Sequence, residues 1–245
     1  NLPIHVKIDT GMHRLGFAPA DMPRLIERLH TQRAVIVRSV FSHFVGSDSP
    51  QFDAFSREQI ALFEQASSAL QAACPHKILR HICNTAGIER FPEAHYDMVR
   101  LGLGLYGISP IDNAILHNVS TLKTTILQIR DVASADTVGY SRKGVLKRPS
   151  RIAALPIGYA DGLNRHLGNG GAYCLVNGQK AYYVGNICMD VCMIDVTDID
   201  CREGDMVEIF GDNLPITVLS DALNTIPYEV LTTISNRVKR VYFQG

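Results

Sequence analysis

Residues 4–44 read IHVKIDTGMHRLGFAPADMPRLIERLHTQRAVIVRSVFSHF, a stretch in which two runs rich in β-branched residues flank a helical pattern. The runs at 4–8 and 35–44 predict strands, and the pattern at 22–30 predicts a helix between them. A strand, a helix and a second strand in this order favour parallel pairing of the two strands. The start of the chain therefore indicates an α/β architecture.

The same alternation continues through the first half of the chain. Apolar residues recur at roughly helical spacing from 52 to 70, and the runs at 78–83 and 98–105 return to strand-like sequence. Only about four β/α units are visible, whereas a closed (β/α)8 barrel needs eight. We therefore expect residues 1–112 to form the C-terminal half of a TIM-like (β/α)8 barrel, with the N-terminal strands missing from this sequence.

From residue 113 the sequence changes to short β-like runs separated by Gly, Pro, Asp and Asn. Strands are predicted at 121–129, 152–157, 172–176, 192–196 and 206–210. Asn177-Gly178 predicts a type I′ hairpin turn, because both residues tolerate positive φ angles. A short helix is predicted at 220–226, and helix-compatible spacing runs from 230 to 241. Residues 113–245 are therefore expected to form a β-strand-rich domain.

Composition points to small-molecule chemistry. Lys plus Arg and Asp plus Glu number 24 each, so no net charge favours nucleic acid or an anionic membrane. No apolar run approaches the roughly 18 residues of a membrane span, and the six cysteines include no C-x-x-C pair. We expect reduced thiols, a cytoplasmic protein and no metal site. Residues 242–245 resemble the remnant of a cleavable tag but are equally compatible with native sequence.

The C-terminal ends of barrel strands are where chemically active side chains collect. The polar residues that close the predicted strands are Lys7, Asp9, His43, Asn84, Thr85 and Arg100. Lys7 and Asp9 share a strand face and could form a buried ion pair that closes the barrel, and His43 could be a hydrogen-bonded core residue. Gly102 and Gly104 follow Arg100, and glycines there let backbone N–H groups approach an anion such as phosphate.

Three tyrosines of the second half lie in polar or glycine-rich stretches. Tyr140 lies in VGYSR, Tyr159 in GYADG, and Tyr228 in PYE. Any one of them alone is typical of a turn residue with its hydroxyl in water. Their significance depends on the motifs taken together.

Several motifs jointly resemble one enzyme family. Residues 6–17, VKIDTGMHRLGF, resemble the V-K-x-D-T-G-M-x-R-x-G signature of alanine racemases. Further matching blocks follow in family order, and they are SHF at 42–44 with Asp48, NTA at 84–86, MVRLGLGLYG at 98–107, PIGYADG at 156–162, VG at 184–185, CMD at 188–190, PYEV at 227–230 and RV at 237–238. The resemblance covers the chain from its first residues to its last.

The resemblance implies a pyridoxal 5′-phosphate (PLP) enzyme with an N-terminal barrel and a C-terminal β domain. The family works as a homodimer whose β domain supplies a tyrosine base and a substrate gate to the partner subunit. Aligned on these motifs, the Schiff-base lysine lies outside this chain, so we expect the 245 residues alone to be inactive. Lys7 matches instead a lysine that is often carbamylated and that steadies the arginine at position 14.

The resemblance also assigns cofactor contacts. Arg100 would donate to the pyridine nitrogen of PLP, and a guanidinium has no proton to give that nitrogen. His43 would link Arg100 toward the catalytic tyrosine. The remaining cofactor contacts would be Arg14, Asn84, Thr85, Gly102, Leu103 and Tyr228, with the phosphate held by Thr85, the backbone at 102–103 and the Tyr228 hydroxyl.

Racemisation requires two bases on opposite faces of the α-carbon. One would be the absent lysine and the other Tyr140, whose phenol pKa must fall from about 10 toward 7, a selective stabilisation of roughly 4 kcal/mol. Arg14, Met189 and Asp190 match positions that contact substrate. The residues matching the substrate entrance are Tyr159, Arg165, Asp48 and Ile226.

One departure from the family pattern is Asn186, where the family often has arginine after Val-Gly. It removes a fixed positive charge from the entrance and leaves specificity open between alanine alone and a wider range of small amino acids such as serine. Two further hypotheses stay open, a fold-type III decarboxylase, faintly echoed by FVGS at 44–47, and a fragment that binds PLP without turnover. The sequence does not separate a biosynthetic role from a catabolic one.

Overall fold

A computed structural model describes residues 1–112 and 115–243, and the chain divides into two compact units, Asn1–His117 and Asn118–Gly245. The boundary predicted between residues 112 and 113 falls on Asn113, which lies outside the described residues. Gln244 and Gly245, half of the suspected tag remnant, also lie outside them.

Unit 1 contains a three-stranded parallel sheet. Its strands are β1 (Leu2–Lys7), β2 (Val35–Phe41) and β3 (Leu79–His81), in the order β1-β2-β3. Helix α1 (Met22–Thr31) connects the first two strands, and α2 (Asp53–Ala73) connects the second and third. The predicted strand–helix alternation and parallel pairing are confirmed.

The register of this sheet brings its polar strand ends together. Lys7 pairs with Phe41, and Phe41 pairs with His81, so all three strands end at the same edge. Side chains of α2, including Phe63 and Leu70, are fully buried in the hydrophobic core of this unit. Packing of α2 in this core therefore fixes the position of the sheet edge at which the three strands end.

The predicted strand at 98–105 is wrong. The backbone follows β3 only briefly, through hydrogen bonds from Asp97 N to Arg80 O (3.1 Å) and from Arg100 N to Cys83 O (3.0 Å). It then turns into a short 3-10 helix, Leu103–Tyr106. The glycines on either side of Leu103 explain the error, because they permit a tight turn where an extended strand would need side chains to pack.

Unit 2 is built from short antiparallel strands. They are β4 (Leu122–Thr125), β5 (Gln128–Val132), β6 (Thr137–Val138), β7 (Gly144–Val145), β8 (Ser150–Leu155), β9 (Tyr173–Val176), β10 (Gln179–Tyr182), β11 (Cys192–Asp195) and β12 (Met206–Phe210). They form a four-stranded sheet in the order β10-β9-β12-β4, a three-stranded sheet in the order β11-β8-β5, and the β6-β7 pair. The β-rich character predicted for this half is confirmed.

The run predicted as one strand at 121–129 is two strands in different sheets. The Ile126 N–H donates to Asp205 O (3.0 Å) beside β12, and the next N–H, that of Leu127, donates to Ala154 O (2.8 Å) in β8. The chain thus changes sheets between adjacent residues. The sequence pattern cannot reveal such a change, because the apolar residues are similarly spaced in both strands.

The hairpin predicted at Asn177-Gly178 is confirmed. These residues connect β9 to β10 with φ angles of 48° and 78°, as a type I′ turn requires. The positive φ at both positions explains why Asn and Gly stand there.

The two predicted C-terminal helices are displaced or shortened. The helix expected at 220–226 is α4 (Thr217–Ala222), which ends before Asn224 takes a left-handed φ of 52°. The helical pattern at 230–241 is α5 (Pro227–Thr233) followed by non-helical chain. The helix ends there because the Ser235 N–H donates to Asp161 O (3.0 Å) rather than continuing the helical ladder.

The six cysteines are all unpaired, and Cys83, Cys174, Cys192 and Cys201 are buried. In the part of the chain that the structure describes, no helix combines the length and apolar character needed to cross a membrane.

Candidate active site

The Arg100 guanidinium is the centre of the candidate region in unit 1. Nη2 donates to the carbonyls of Ser42 (2.7 Å) and Ile82 (3.0 Å) and to Nδ1 of His43 (3.0 Å), while Nη1 donates to Nδ1 of His81 (2.5 Å). The acceptors come from the ends of β2 and β3. Because they surround both Nη atoms, the guanidinium plane is fixed before any ligand arrives.

Both histidines on Arg100 are neutral at physiological pH. Burial, followed by the positive charge of Arg100, lowers the pKa of His43 and that of His81 to about 4 each. Since Arg100 donates to Nδ1 of each ring, the ring proton of each lies on Nε2. The cluster therefore carries one fixed positive charge and no acid that titrates near pH 7.

His81 was not among the residues singled out from the sequence. It is buried, and its Nε2 lies 3.3 Å from Ser39 Oγ, which is 2.5 Å from Nδ1 of His5. Phe41 stacks on the His81 ring with centroids 5.2 Å apart. The sequence could have pointed to His81, because the predicted strand at 78–83 contains it. A polar side chain buried in a strand needs a hydrogen-bond partner.

Lys7 and Asp9 do not form the ion pair that the sequence left open. Asp9 Oδ1 accepts from the N–H groups of Gly11 and His13 at 3.0 Å each, and its Oδ2 lies 3.4 Å from Nδ1 of the His13 ring. Burial would raise the Asp9 pKa, but these N–H donors outweigh it and lower that pKa. Asp9 thus shapes the turn after β1.

Lys7 lies in an electropositive setting. Burial lowers its pKa, and the positive charges of Arg14 and Arg100 lower it further against the opposing effect of Asp9. Its Nζ lies 5.9 Å from the centroid of the Phe41 ring, while Arg14 is exposed to solvent. A larger fraction of Lys7 is therefore the neutral amine than in an ordinary lysine.

Asn84 caps a helix rather than pointing at an open site. Its Oδ1 accepts from the Gly87 N–H (2.9 Å) at the start of α3 (Thr85–Arg90) and from Ser47 Oγ (2.8 Å). This role accounts for an asparagine at the position on structural grounds.

Thr85, Gly102 and Gly104 do converge. Thr85 Oγ1 accepts from the N–H groups of Gly102 (3.1 Å) and Gly104 (3.2 Å), and Leu103 between them is buried. A Cβ added at Gly104 would lie 2.6 Å from Leu101 Cδ1 and 3.1 Å from Thr85 Cγ2. Glycine at 104 therefore permits the close packing that brings these two backbone donors and the Thr85 hydroxyl together.

A cleft of about 760 Å³ in unit 2 brings together four residues selected from the sequence. Tyr140, Tyr159, Arg165 and Met189 all line it. Tyr140 is 68% exposed. Tyr140 comes from the turn between β6 and β7, whereas Tyr159 and Arg165 both lie in the connection between β8 and β9, so the cleft joins segments that are distant in sequence.

Close backbone contact forms one wall of this cleft. Tyr159 N donates to Cys188 O and Ala160 N donates to Met189 O, both at 3.0 Å. A Cβ on Gly158 would lie only 2.3 Å from the carbonyl oxygens of Cys188 and Met189. Only glycine permits this approach, which sets Tyr159 beside Met189.

Asp190 is held by an arginine that sequence reasoning did not assign. Arg237 donates through Nη2 to Asp190 Oδ1 and through Nε to Asp161 Oδ1 (2.6 Å). Asp161 in turn accepts from the Gly158 N–H (2.8 Å) through Oδ2. Arg237 therefore ties the two segments of this wall to the chain after α5.

The remaining selected residues lie elsewhere. Ile226 and Tyr228 flank the first residue of α5 and are not among the residues that line the cleft. Asp48 is an exposed residue of unit 1, between β2 and α2.

The two units match the two halves of one family. Residues 1–110 match the family described as "Alanine racemase, N-terminal domain", and residues 119–242 match "Alanine racemase, C-terminal domain". The chain belongs to the alanine racemase family. Alanine racemase 2 of Caldanaerobacter subterraneus subsp. tengcongensis is 42% identical over 249 residues, covering 98% of this chain and 64% of that protein. Alanine racemase 1 of Oceanobacillus iheyensis is 36% identical, covering 98% of this chain and 66% of that protein. The chain thus spans slightly less than two thirds of these racemases.

Solved racemase structures share the fold. The alanine racemase from D-cycloserine producing Streptomyces lavendulae superposes with a TM-score of 0.92 at 31% identity, covering 99% of this chain and 66% of that one. The alanine racemase from Bartonella henselae, described with covalently bound pyridoxal phosphate, gives a TM-score of 0.87 at 32% identity, covering 98% and 66%. The predicted fold class, part of a TIM-like barrel followed by a β-rich domain, is confirmed.

Proposed function

We propose that the protein is a PLP-dependent alanine racemase that interconverts L- and D-alanine by a two-base mechanism. The observation that carries this proposal is the Arg100 guanidinium fixed between two neutral histidines. It offers a ligand a permanent hydrogen-bond donor that cannot surrender a proton. With such a donor the pyridine nitrogen would stay unprotonated and the cofactor would be a weaker electron sink. The α-carbanion of the substrate would then regain a proton at the α-carbon before other reactions compete.

The residues of unit 1 fit the cofactor. Bound PLP supplies an electron sink that makes the α-proton of an amino acid acidic. Among the described residues, Nε of Arg100 has no protein acceptor, so this donor is available to the pyridine nitrogen. Thr85, the backbone at Gly102 and Leu103 and, from unit 2, the hydroxyl of Tyr228 would hold the phosphate, and the close approach of Gly104 to Thr85 keeps these groups together.

The cofactor-binding lysine is, in our proposal, not among residues 1–245. Lys7 would instead act after carbamylation, in which its neutral amine attacks carbon dioxide and releases a proton to leave a carbamate. Its lowered pKa favours the neutral amine that this step needs. The carbamate would replace repulsion of Arg14 with attraction and steady that guanidinium for the cofactor and the substrate carboxylate.

Tyr140 would act as the second base. It lines an open cleft from which its phenolate can take or return the α-proton, while His43 links Arg100 toward it. Met189 would contact the substrate carboxylate through its backbone, and Asp190 would line the site. Tyr159, Arg165, Asp48 and Ile226 would narrow the entrance.

We further propose a cytoplasmic homodimer in which residues 1–112 bind PLP and residues 113–245 supply Tyr140 and the gate to the partner subunit. The product D-alanine would serve peptidoglycan synthesis, or the enzyme would catabolise it. The free thiols support a reducing compartment.

The direct test is incubation of the full-length protein, loaded with PLP, with L-alanine. D-alanine formation, measured by a D-amino-acid oxidase assay, is the expected result, and release of carbon dioxide without D-alanine would favour the decarboxylase hypothesis. Relative rates on alanine, serine and lysine define the scope of the enzyme. Residues 1–245 alone should be inactive, and racemisation by them would overturn the placement of the cofactor lysine.

A further inference from the structure

The turn that carries Tyr140, residues 139–144, has an unusual backbone. It joins two strands of two residues each, β6 and β7, and it contains left-handed φ angles at Gly139 (76°), Ser141 (58°) and Arg142 (54°). Left-handed residues other than glycine persist only where their surroundings hold them. Something beyond the short β6-β7 pair must therefore stabilise this turn.

The turn rests directly on the backbone at Gly185. A Cβ added at Gly185 would lie 2.5 Å from Val138 O, and one added at Gly144 would lie 3.0 Å from the Gly185 N–H nitrogen. No side chain fits between the two segments. Asn186, the next residue, reaches the turn with a polar side chain, whereas Met193 approaches Gly139 with an apolar one.

Asn186 uses both ends of its amide. Nδ2 donates to the carbonyl oxygen of Tyr140 (3.2 Å), and Oδ1 accepts from Nδ2 of Asn169 (3.0 Å). Asn169 is itself anchored by its backbone N–H, which donates to Gly185 O (3.0 Å). Because Asn169 occupies the amide oxygen, the amide NH₂ must face Tyr140.

Charged side chains at this position could not make the same pair of contacts. Arginine has donors only and would lose the bond from Asn169, while aspartate would set a carboxylate against the Tyr140 carbonyl. Asn186 therefore does more than remove a positive charge from the entrance, because its amide makes two contacts that a charged side chain could not make.

We infer that Asn186 is a positioning residue that fixes the backbone of the Tyr140 turn and, through it, the direction of the Tyr140 phenol. The structural part of this inference depends only on the contacts within unit 2. Its catalytic part rests on the proposed racemase function.

Hydrogen exchange on the full-length protein tests the structural part. In Asn186→Asp, the amides at 139–145 should exchange roughly fivefold faster, the effect of losing one hydrogen bond. Asn177→Asp is the matched control, because Asn177 Nδ2 also donates to a backbone carbonyl of this unit, that of Asp200 (2.9 Å). It should leave the exchange at 139–145 unchanged. Unchanged exchange in Asn186→Asp would overturn the inference.

Steady-state kinetics test the catalytic part. Asn186→Asp should lower kcat roughly fivefold and leave KM for alanine nearly unchanged, because a displaced phenol affects proton transfer more than binding. An equal rise in KM with kcat constant would contradict a positioning role. If Asn186→Asp fails to fold, Asn169→Gly serves instead, since glycine accepts the φ of 54° at that position and removes only the amide that orients Asn186.

The two levels of inference fail separately. If Tyr140→Phe racemises alanine normally, the assignment of Tyr140 as a base is wrong, yet faster exchange in Asn186→Asp would still establish the support of the turn. If Tyr140→Phe is inactive and the exchange is unchanged in Asn186→Asp, the racemase proposal stands and this inference fails.

Discussion

The Arg100 cluster and the Tyr140 turn differ in how closely the protein encloses the side chain. Arg100 is surrounded by acceptors from two strand ends and by two neutral histidines. Tyr140 projects from a turn between two-residue strands into an open cleft. Arg100, whose charge stays constant, is part-buried among its acceptors, whereas Tyr140, the base in our proposal, is left exposed to solvent.

This contrast predicts different responses to substitution. Changes in the Arg100 cluster leave buried acceptors unpaired and should reduce the free energy of unfolding. Changes at the Tyr140 turn should mainly reduce the rate of reaction.

The largest expected effect is that of Tyr140→Phe. Removing the phenol should lower kcat for alanine racemisation in the full-length protein by about 10²- to 10⁴-fold, the usual contribution of a general base. The urea midpoint should hardly change, because the side chain is exposed. Tyr182→Phe, another exposed tyrosine of unit 2, is the control and should keep full activity. Normal turnover by Tyr140→Phe would break the comparison.

Arg100→Lys should come next. An ammonium cannot reach the four acceptors of the planar guanidinium, so at least one buried acceptor loses its partner. We expect the free energy of unfolding to drop by about 1–3 kcal/mol in urea titrations, together with weaker PLP binding. Arg148→Lys, in the exposed Arg148–Asp198 pair, provides the matched control and should change stability little. Equal stability of the two variants would show that the cluster is not pre-organised.

The histidines give a pH dependence. Each has a folded-state pKa of about 4 against an ordinary value of 6.5, so the unfolded chain binds more protons between these values. The stability present above pH 6.5 should therefore be lost as pH falls toward 4. In urea titrations across this window, His81→Gln should show a flatter slope than the native protein. If His81→Gln and the native protein show the same slope, His81 does not cause this pH dependence. His166→Gln, which changes an exposed histidine, is the control and should leave the slope unaltered.

The smallest effect is expected for Arg237→Gln. This variant breaks the partly exposed pairs with Asp161 and Asp190, which should cost about 1 kcal/mol or less. Exchange of the Tyr159 and Ala160 amides should nevertheless quicken, because those amides bond the wall that Arg237 ties down. Arg202→Gln, in the exposed pair with Asp205, is the comparison variant. If Arg237→Gln leaves that exchange as unchanged as Arg202→Gln does, Arg237 does not hold the two segments of this wall.

The sequence predicted those features that depend on local pattern. Strand and helix alternation sufficed for β1 to β3, and Asn177-Gly178 sufficed for the hairpin, because turn type depends on φ preferences of single residues. The change of sheet between Ile126 and Leu127 and the end of α5 depend on distant partners, and no local pattern contains them.

The site shows the same division. Motif resemblance selected Arg100 and Tyr140, but it did not select the partners that hold them. His81 and the double contact of Asn186 become visible only when strands and turns from distant parts of the sequence are brought together.

We propose that the Arg100 cluster of one subunit and Tyr140 of its partner form one racemase site. Full-length Arg100→Lys, which should have low activity because it binds PLP weakly, is mixed with Tyr140→Phe under conditions that exchange subunits. Half of the dimers should then be mixed and each should contain one intact site, so racemisation should recover to about a quarter of the native rate. Activity no higher than that of the separate variants, with exchange of subunits verified, would contradict the account.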